Sequence, residues 1–539
     1  MKALFTGLSL FVASPSYADS FPASSYLSAN THIINAIFVI VVYVCFCAWI
    51  IWRYKKRNAL NQNEQHLQLR DENSILVAYA SQTGNAEQLA NKTAESLKQA
   101  RLSVEIYPLS AVGKELLQAF TRVLFVVSTT GEGDAPDDAR DFLTSVMHHD
   151  ANFPQLRYGI LALGDRNYTH YCGFGHTLDT WLQHTHALPL FDIVEVDRHD
   201  DGALRHWQYQ LSVLAKDTEM TDWQAPDYQH WILTKRTQLN KGSVGAPVYH
   251  LSFSAQEKNV SWQAGDIAEI GPRNSPESVA FFLERLGIDG SVKINSVKMT
   301  FAEALQDKLL PHDEAGFNNL NAEYSATLDI EALLSTLKTL PHREYSIASI
   351  PQDGALELLV RQTHYVDGRL GIGSGWLTQH ASINGDIALR IRENSAFHPP
   401  PAYAPLILIG NGTGIAGLRA HLKARANVSE SKNWLIFGER NAEYDFYFKD
   451  ELYSWQRSGI LNKLGTAFSR DQSQRMYVQD TVKASAADIS NWVNDGAAIY
   501  VCGSASGMAP AVHAELLEIL GENTLSTLTT SGRYRRDIY

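Results

Sequence analysis

Three polar loops follow apolar strands in the first half of the chain, and the first of them has the residue types of a phosphate-binding turn. It reads Ser81-Gln82-Thr83-Gly84-Asn85-Ala86, between a predicted buried strand at Ser74–Ala80 and a helical pattern that runs to Leu97. Backbone amides and the helix dipole at such a helix start attract an anion. No Gly-Lys-Ser/Thr follows, so the turn is not a nucleotide-hydrolysing P-loop. Taken alone, it also fits an ordinary capped turn.

Two more loops of this kind come later in the chain. The strand at 123–127 runs into Ser128-Thr129-Thr130-Gly131-Glu132-Gly133-Asp134, and the strand at 158–163 runs into Gly164-Asp165-Arg166-Asn167-Tyr168-Thr169-His170-Tyr171-Cys172. Ligands of open parallel sheets bind beyond the carboxyl ends of the strands. The three loops are therefore expected to form one site.

The strings SQTGNA, STTGEGD and LGDRNY resemble the three FMN-contacting loops of the flavodoxin-like domain in diflavin reductases. The resemblance implies that the first loop holds the FMN phosphate and that the other two flank the isoalloxazine, with Tyr168 stacked on it. The residues predicted to contact FMN are Ser81, Gln82, Thr83, Gly84, Asn85, Ala86, Ser128, Thr129, Thr130, Gly131, Gly164, Asn167, Tyr168 and Cys172.

The second half of the chain contains Arg343-Glu344-Tyr345-Ser346 and, further on, a glycine-rich turn with Gly371, Gly373 and Ser374. Their order and separation resemble the FAD half of ferredoxin–NADP⁺ reductases. The resemblance implies that the arginine meets the FAD pyrophosphate, that the Tyr-Ser pair packs on the flavin, and that the turn caps the phosphates. Arginine suits this role because it offers a bidentate fork.

A third set of residues predicts an NADPH site. The strand at 405–409 enters a turn with Gly412 and Thr413, and a later segment contains Ser469, Arg470, Arg475, Tyr477 and Gln479. Two arginines and a serine at one site would bind the dianionic 2′-phosphate that distinguishes NADPH. The family has the same run, SRDQ followed by YVQD, at that pocket.

The resemblance also assigns residues to hydride transfer. Ser346, Cys502 and Asp537 are implied to surround the nicotinamide, and the terminal Tyr539 to stack on the FAD ring and swing away for NADPH. Two residues depart from the family pattern, since Asn411 stands where proline is usual and Ser504 stands where aspartate is usual. The loss of that aspartate is expected to weaken the positioning of the nicotinamide.

The N-terminal region predicts a membrane anchor. Residues 33–52 form an apolar run long enough to span a bilayer, and Arg53, Lys55, Lys56 and Arg57 place the following part in the cytoplasm. Residues 1–18 resemble a signal peptide. We therefore expect a single-pass protein of the cell inner membrane with cytoplasmic catalytic domains.

Composition limits the remaining choices. The net charge of −12 argues against a nucleic-acid partner, and four scattered cysteines predict neither a disulfide framework nor a metal site. The predicted fold is α/β: a transmembrane helix, a flavodoxin-like doubly wound sheet, an antiparallel FAD-binding barrel with a helical insert, and an NADP-binding α/β domain. The predicted boundaries are 1–18 leader, 33–52 span, 53–73 tether, 74–215 FMN domain, 216–232 linker, 233–400 FAD domain with the insert at 272–340, and 401–539 NADPH domain.

The predicted activity is electron transfer from NADPH through FAD and FMN to a one-electron acceptor, a haem or other metalloprotein associated with the membrane. The two flavin halves are expected to swing apart so that FMN alternates between FAD and the acceptor, and the helical insert looks shorter than usual. Within the family, a ferric-siderophore or haem-relay reductase and a sulfite reductase flavoprotein subunit stay open. Outside it, a non-catalytic flavin sensor and a quinone or nitro-compound reductase are the alternatives.

Overall fold

The computed structural model describes residues 74–539, apart from short gaps at 83, 131–132, 149–150, 199, 225–226, 258–259, 295–297, 325–328, 427–430 and 505–506. The predicted leader, span and tether lie outside these residues. Within the described part of the chain, no helix combines the length and the apolar character that crossing a bilayer requires.

The first domain is a parallel sheet with helices packed on it. Its strands are β1 (Ser74–Ala80), β2 (Ser103–Pro108), β3 (Arg122–Ser128), β4 (Arg157–Gly164), β5 (Leu188–Pro189) and β6 (Val194–Asp197), and its helices are α1 (Asn85–Gln99), α2 (Lys114–Ala119), α3 (Arg140–Phe142), α4 (Gly173–His184) and α5 (Asp201–Ala215). The strand order is β2-β1-β3-β4-β5, with β6 also paired to β4. The apolar runs of β1, β3 and β4 are buried, as is typical of a sheet covered on both faces. Their carboxyl ends are consequently neighbours.

The second domain is an antiparallel barrel. Its strands are β7 (Gln229–Gln238), β8 (Val248–Ala255), β9 (Ile267–Gly271), β10 (Lys293–Ile294), β11 (Met299–Thr300), β12 (Arg343–Ser346), β13 (Leu356–Arg361) and β14 (Asp386–Arg392). Six of them pair in the order β12-β9-β14-β7-β8-β13. An isolated bridge between Ile347 and Leu358 links the two ends of this order and closes the sheet.

Helices interrupt the barrel between β9 and β12 and again after β13. They are α6 (Pro276–Leu286), α7 (Phe301–Ala304), α8 (Glu314–Tyr324), α9 (Ile330–Thr336) and α10 (Ile372–Gly375). The first four belong to the predicted insert and share their own core around Phe282, Phe301 and Phe317. The insert is thus a separately packed layer beside the barrel.

The third domain is again a parallel sheet with helices. Its strands are β15 (Leu406–Asn411), β16 (Asn433–Glu439), β17 (Lys463–Phe468), β18 (Ala498–Gly503) and β19 (Tyr534–Ile538), and its helices are α11 (Ile415–Ala426), α12 (Lys449–Arg457), α13 (Val478–Ala484), α14 (Ala486–Asn494), α15 (Met508–Leu520) and α16 (Glu522–Thr530). The order β17-β16-β15-β18-β19 reverses direction at β15, which is where such sheets bind dinucleotides. The predicted α/β class is confirmed.

The connection between the first domain and the barrel is held by polar contacts on both sides. Trp223 donates from Nε1 to Ser96 Oγ of the first domain at 2.9 Å. Asp222 lies 2.7 Å from Nδ1 of the buried His342, next to the barrel strand β12, and accepts a backbone hydrogen bond from the same residue at 3.1 Å. The connection is therefore fixed in the arrangement in which the two domains contact each other.

The His342–Asp222 ion pair predicts a pH-dependent stability. Burial lowers the pKa of His342, but the hydrogen bonds and charges of Asp222 and Glu344 outweigh burial and raise this pKa to about 9. A raised histidine pKa stabilises the fold fully below the unfolded value of 6.5, and the contribution is lost as the pH rises through 9. We expect the melting temperature of the first transition to fall across this window, and the fall to shrink in His342→Gln.

The matched control is His230→Gln. His230 forms a more exposed pair with Asp386, at 3.0 Å, and both residues belong to the barrel domain. This variant should keep the fall in melting temperature, measured by differential scanning calorimetry. An unchanged slope in His342→Gln would contradict the assignment.

Candidate functional site

The first loop after β1 forms a compact turn at the start of a helix. Ser81 Oγ accepts hydrogen bonds from the backbone amides of Gly84 at 2.9 Å and Ala86 at 3.2 Å. Gly84 has a φ of 88°, a conformation that glycine adopts without strain, and Asn85 begins the 15-residue helix α1. Thr83, which was predicted to belong to this loop, lies outside the described residues.

The second loop follows β3 and lies beside the first. Ser128 Oγ donates to the carbonyl of Ala80 at 3.1 Å, and the Gln82 amide contacts Asp137 through two hydrogen bonds of 3.1 and 3.4 Å. The buried Oγ1 of Thr129 has no hydrogen-bond partner among the described residues. Such an orphaned hydroxyl fits a ligand that would supply the missing partner.

The remaining predicted members of the second loop differ in what the structure describes. Thr130 Oγ1 donates to the carbonyls of Asp134 and Ala135 at 3.2 and 3.3 Å, which closes the loop on itself. Gly131 lies outside the described residues.

The third loop follows β4 and presents an aromatic ring. Tyr168 is 48% exposed, and the backbone amide of Asn167 donates to Asp165 at 2.9 Å, which shapes the turn. The buried Cys172 packs against Gly164, where a Cβ would lie 2.8 Å from the Cys172 nitrogen. The described residues of the three loops fit FMN, with a turn at a helix start, an orphaned hydroxyl and an accessible ring at one sheet edge.

A cavity of about 960 Å³ lies between the barrel and the third domain. Most residues predicted for FAD, NADPH and hydride transfer line it: Arg343, Glu344, Tyr345, Ser346, Gly371, Gly373, Ser374, Gly412, Thr413, Ser469, Arg470, Tyr477, Gln479, Asp537 and Tyr539. Cys502 and Arg475 are not among the lining residues. Cys502 is buried behind the lining, and Arg475 is exposed on the surface.

The barrel side of this cavity is shaped for a close approach of the backbone. A Cβ on Gly373 would lie 2.5 Å from Cγ of Arg343 and 2.9 Å from the Tyr345 hydroxyl. Ser374 Oγ accepts from the amide of Thr363 at 3.1 Å and lies 2.8 Å from its hydroxyl. These residues place polar atoms around a turn that carries no side chain at Gly373. Such an arrangement fits the FAD phosphates, which bind where backbone amides can be approached closely.

Three side chains meet where the barrel touches β19. Ser346 Oγ donates to Asp537 Oδ2 at 2.7 Å, and Cys502 Sγ lies 3.5 Å from the same oxygen. Burial raises the pKa of Asp537, while the hydrogen bond from Ser346 opposes the rise. Burial, together with the charge of Asp537, raises the pKa of Cys502, so this residue stays a thiol.

The terminal Tyr539 lines the cavity. Its backbone amide donates to the carbonyl of Gly503, and its hydroxyl lies 3.0 Å from Thr413 Oγ1. The aromatic ring is therefore anchored next to the glycine turn that was predicted to bind NADPH.

Several cavity residues were missed by the sequence reasoning. Arg440 directly follows the carboxyl end of the parallel strand β16, and the rule that identified the other loops applies to it as well. Arg361, which ends the antiparallel β13, forms an ion pair with Glu439 beside Gly412. No local pattern marks this arginine.

The first domain also contributes to the wall of the cavity. His206, Tyr209 and Gln210 of α5 line it, and so does Thr218 of the connection to the barrel. The FMN domain thus reaches the FAD and NADPH cavity through its last helix.

Flavin loops on one parallel sheet, joined to a barrel and a dinucleotide-binding sheet with a shared cavity, define a flavin-dependent oxidoreductase of the two-flavin type. Residues 77–207 match the flavodoxin family, and residues 408–514 match the oxidoreductase NAD-binding domain. The chain is 30% identical over 538 residues to the sulfite reductase (NADPH) flavoprotein alpha-component of Vibrio parahaemolyticus, with 86% of each chain covered.

Two further relatives have the same printed name. The Aliivibrio fischeri protein is 29% identical over 553 residues, covering 89% of this chain and 91% of its own length. The Klebsiella pneumoniae protein is 30% identical, with 86% and 90% covered. The chain belongs to the diflavin reductase family. It is an NADPH-dependent flavoprotein oxidoreductase with FMN, FAD and NADPH as cofactors.

The positions of Arg470 and Arg475 predict unequal roles in NADPH recognition. Arg470 lines the cavity, whereas Arg475 does not. Removal of an arginine that pairs with a phosphate costs about 1.5–3 kcal/mol, which is roughly 10- to 100-fold in affinity. We expect Arg470→Ala to raise KM for NADPH by about that factor and to leave KM for NADH within about twofold. Arg475→Ala is the matched control, and an equal effect of both substitutions would contradict the prediction.

Proposed function

We propose that this chain delivers single electrons from NADPH to a membrane-associated metalloprotein, most simply a haem protein. The observation that supports this proposal most directly is the shared cavity. Tyr345 and Ser346 of the barrel and Ser469 and Arg470 of the third domain all line it. FAD held by the barrel side of this cavity would supply hydride chemistry with NADPH, and FMN held by the loops of the first domain would supply one-electron chemistry. The protein supplies the binding, the orientation and the electrostatics.

Each polar group near the hydride site has a definite part in this proposal. Asp537 accepts a hydrogen bond from Ser346 and thereby orients the hydroxyl at the hydride site. Cys502 stays a thiol and packs behind the carboxylate. Tyr539 covers the cavity and must move before NADPH can reach the flavin.

The acceptor is proposed to dock on an acidic patch. Asp134, Asp137, Asp138 and Asp141 are exposed just after the second FMN loop, and Gln82 of the first loop contacts Asp137. Carboxylates at this position would attract a basic acceptor surface and speed its encounter in a salt-dependent manner. A soluble sulfite-reducing partner is the second candidate, since the similar proteins are named for sulfite reductase.

The relay is tested with the full-length chain by releasing its flavins with acid and following NADPH-driven reduction of cytochrome c. We expect equal amounts of FMN and FAD, rapid turnover, and a rate at limiting cytochrome c that falls as the salt concentration rises. FAD alone, with turnover confined to two-electron acceptors, would overturn the one-electron relay.

We also propose that residues 33–52 anchor the chain in the cell inner membrane, with the described domains in the cytoplasm. The length of the apolar run and the basic residues Arg53, Lys55, Lys56 and Arg57 support this. The full-length chain should sediment with membranes and resist extraction with alkaline carbonate, while a variant lacking residues 33–52 should stay in the supernatant. Extraction of the full-length chain by carbonate would refute the anchor.

A further inference from the structure

Two acidic side chains face each other across the barrel strands next to the cavity. Glu344 of β12 and Glu269 of β9 are register partners in an antiparallel pair. Both are almost completely buried, with 6% and 0% of the side chain exposed. Like charges directly opposite each other on neighbouring strands repel, and buried charges need partners. The two glutamates therefore need positively charged or hydrogen-bonding side chains beside them.

Two consecutive residues of the first domain supply such side chains. Nδ1 of His206 lies 2.7 Å from Oε2 of Glu344, and Nε of Arg205 lies 3.2 Å from Oε2 of Glu269. Both belong to α5, the helix that leads into the connection. The two glutamates are thus paired across the domain boundary by adjacent residues of one helix.

The partners within the barrel complete the set around Glu344. Arg392 of β14 donates to the same oxygen at 3.1 Å, and His342 Nε2 lies 3.4 Å from the other. Burial alone would raise the pKa of Glu344, but the charges of Arg392 and His206 lower it well below its usual range. An ionised carboxylate can only accept hydrogen bonds. Nδ1 of His206 lies 2.7 Å from this carboxylate and 3.3 Å from Nη2 of Arg392, so its shorter contact is the one with Glu344.

The contact between His206 and Glu344 lies close to the FAD side of the cavity. Arg343 and Tyr345, its neighbours in the chain, line the FAD side of the cavity. We propose that His206 is an interdomain positioning residue. Its hydrogen bond to Glu344, beside the Arg205–Glu269 pair, holds the FMN domain against strand β12 of the barrel while electrons pass between the flavins. This role rests on the proposed relay, and the bond must break when the FMN domain turns to its acceptor.

The test uses His206→Ala and His206→Asn in the full-length chain. Alanine removes the donor, whereas the asparagine amide can occupy the place of Nδ1 and restore it. In stopped-flow absorbance after mixing with NADPH, electron passage between the flavins should slow by about tenfold in His206→Ala, as expected for a lost charge-assisted hydrogen bond. The hydride step should slow by less than the passage between the flavins, although His206 also lines the cavity. His206→Asn should recover most of the rate.

The asparagine variant separates positioning from simple helix stability. Asparagine is a poorer helix former than alanine, so a purely structural role of His206 predicts that His206→Asn is the slower of the two. The matched control is His230→Ala, which removes a histidine–carboxylate pair inside the barrel. It should leave both steps unchanged.

Hydrogen–deuterium exchange gives a readout that does not depend on the flavins. The amides of β12 and α5 should exchange faster in His206→Ala and return toward the wild-type rate in His206→Asn. If the wild-type chain contains no FMN, the proposed electron relay is wrong. The exchange pattern would still decide whether His206 holds the first domain against the barrel. Unchanged exchange in His206→Ala, or equal slowing of both redox steps, would overturn the positioning role.

Discussion

The last strand of the chain is the constraint on which the arrangement of all three domains depends. β19 pairs with β18 in a register that places Asp537 opposite Cys502, and this register puts the carboxylate against Ser346 of the barrel. The preceding residue, Arg536, forms an ion pair with Asp192 of the first domain. Successive residues of a strand point to opposite faces. One short strand can therefore bind the first domain on one face and the hydride site on the other.

Several ion pairs join the first domain to the rest of the molecule near the cavity. Besides the glutamate pairs, Arg166 of the third FMN loop donates to Ser395 at 2.8 Å and lies 3.6 Å from Glu393. Buried ion pairs contribute little net stability, because desolvation offsets most of the attraction. Ion pairs do require the two domains to meet in one orientation. When the domains separate, water can solvate the charges that are set free. An interface of this kind suits a domain that must dock in one orientation and also leave.

The sequence predicted correctly which loops lie together wherever a loop follows a parallel strand. The three FMN loops and the turn after β15 all obey that rule, and the structure brings their described residues to the expected sheet edges. Spacing along the chain did not indicate that Arg470 lines the cavity while Arg475 lies outside its lining. His206 and Arg361 were missed for a related reason. Their positions depend on how domains and barrel strands pack, and local spacing carries no information about that packing.

The two departures from the family pattern occupy a single contact. Asn411 ends β15 and Ser504 directly follows β18, and both line the cavity. The Oδ1 atom of Asn411 accepts a hydrogen bond from the backbone amide of Ser504 at 3.2 Å. A proline at position 411 offers no such acceptor in its side chain. The asparagine therefore ties the turn that was predicted to bind NADPH to the end of β18, where the usual aspartate is missing. Because only the backbone of Ser504 takes part, this contact depends on the residue at position 411 and not on the side chain at position 504.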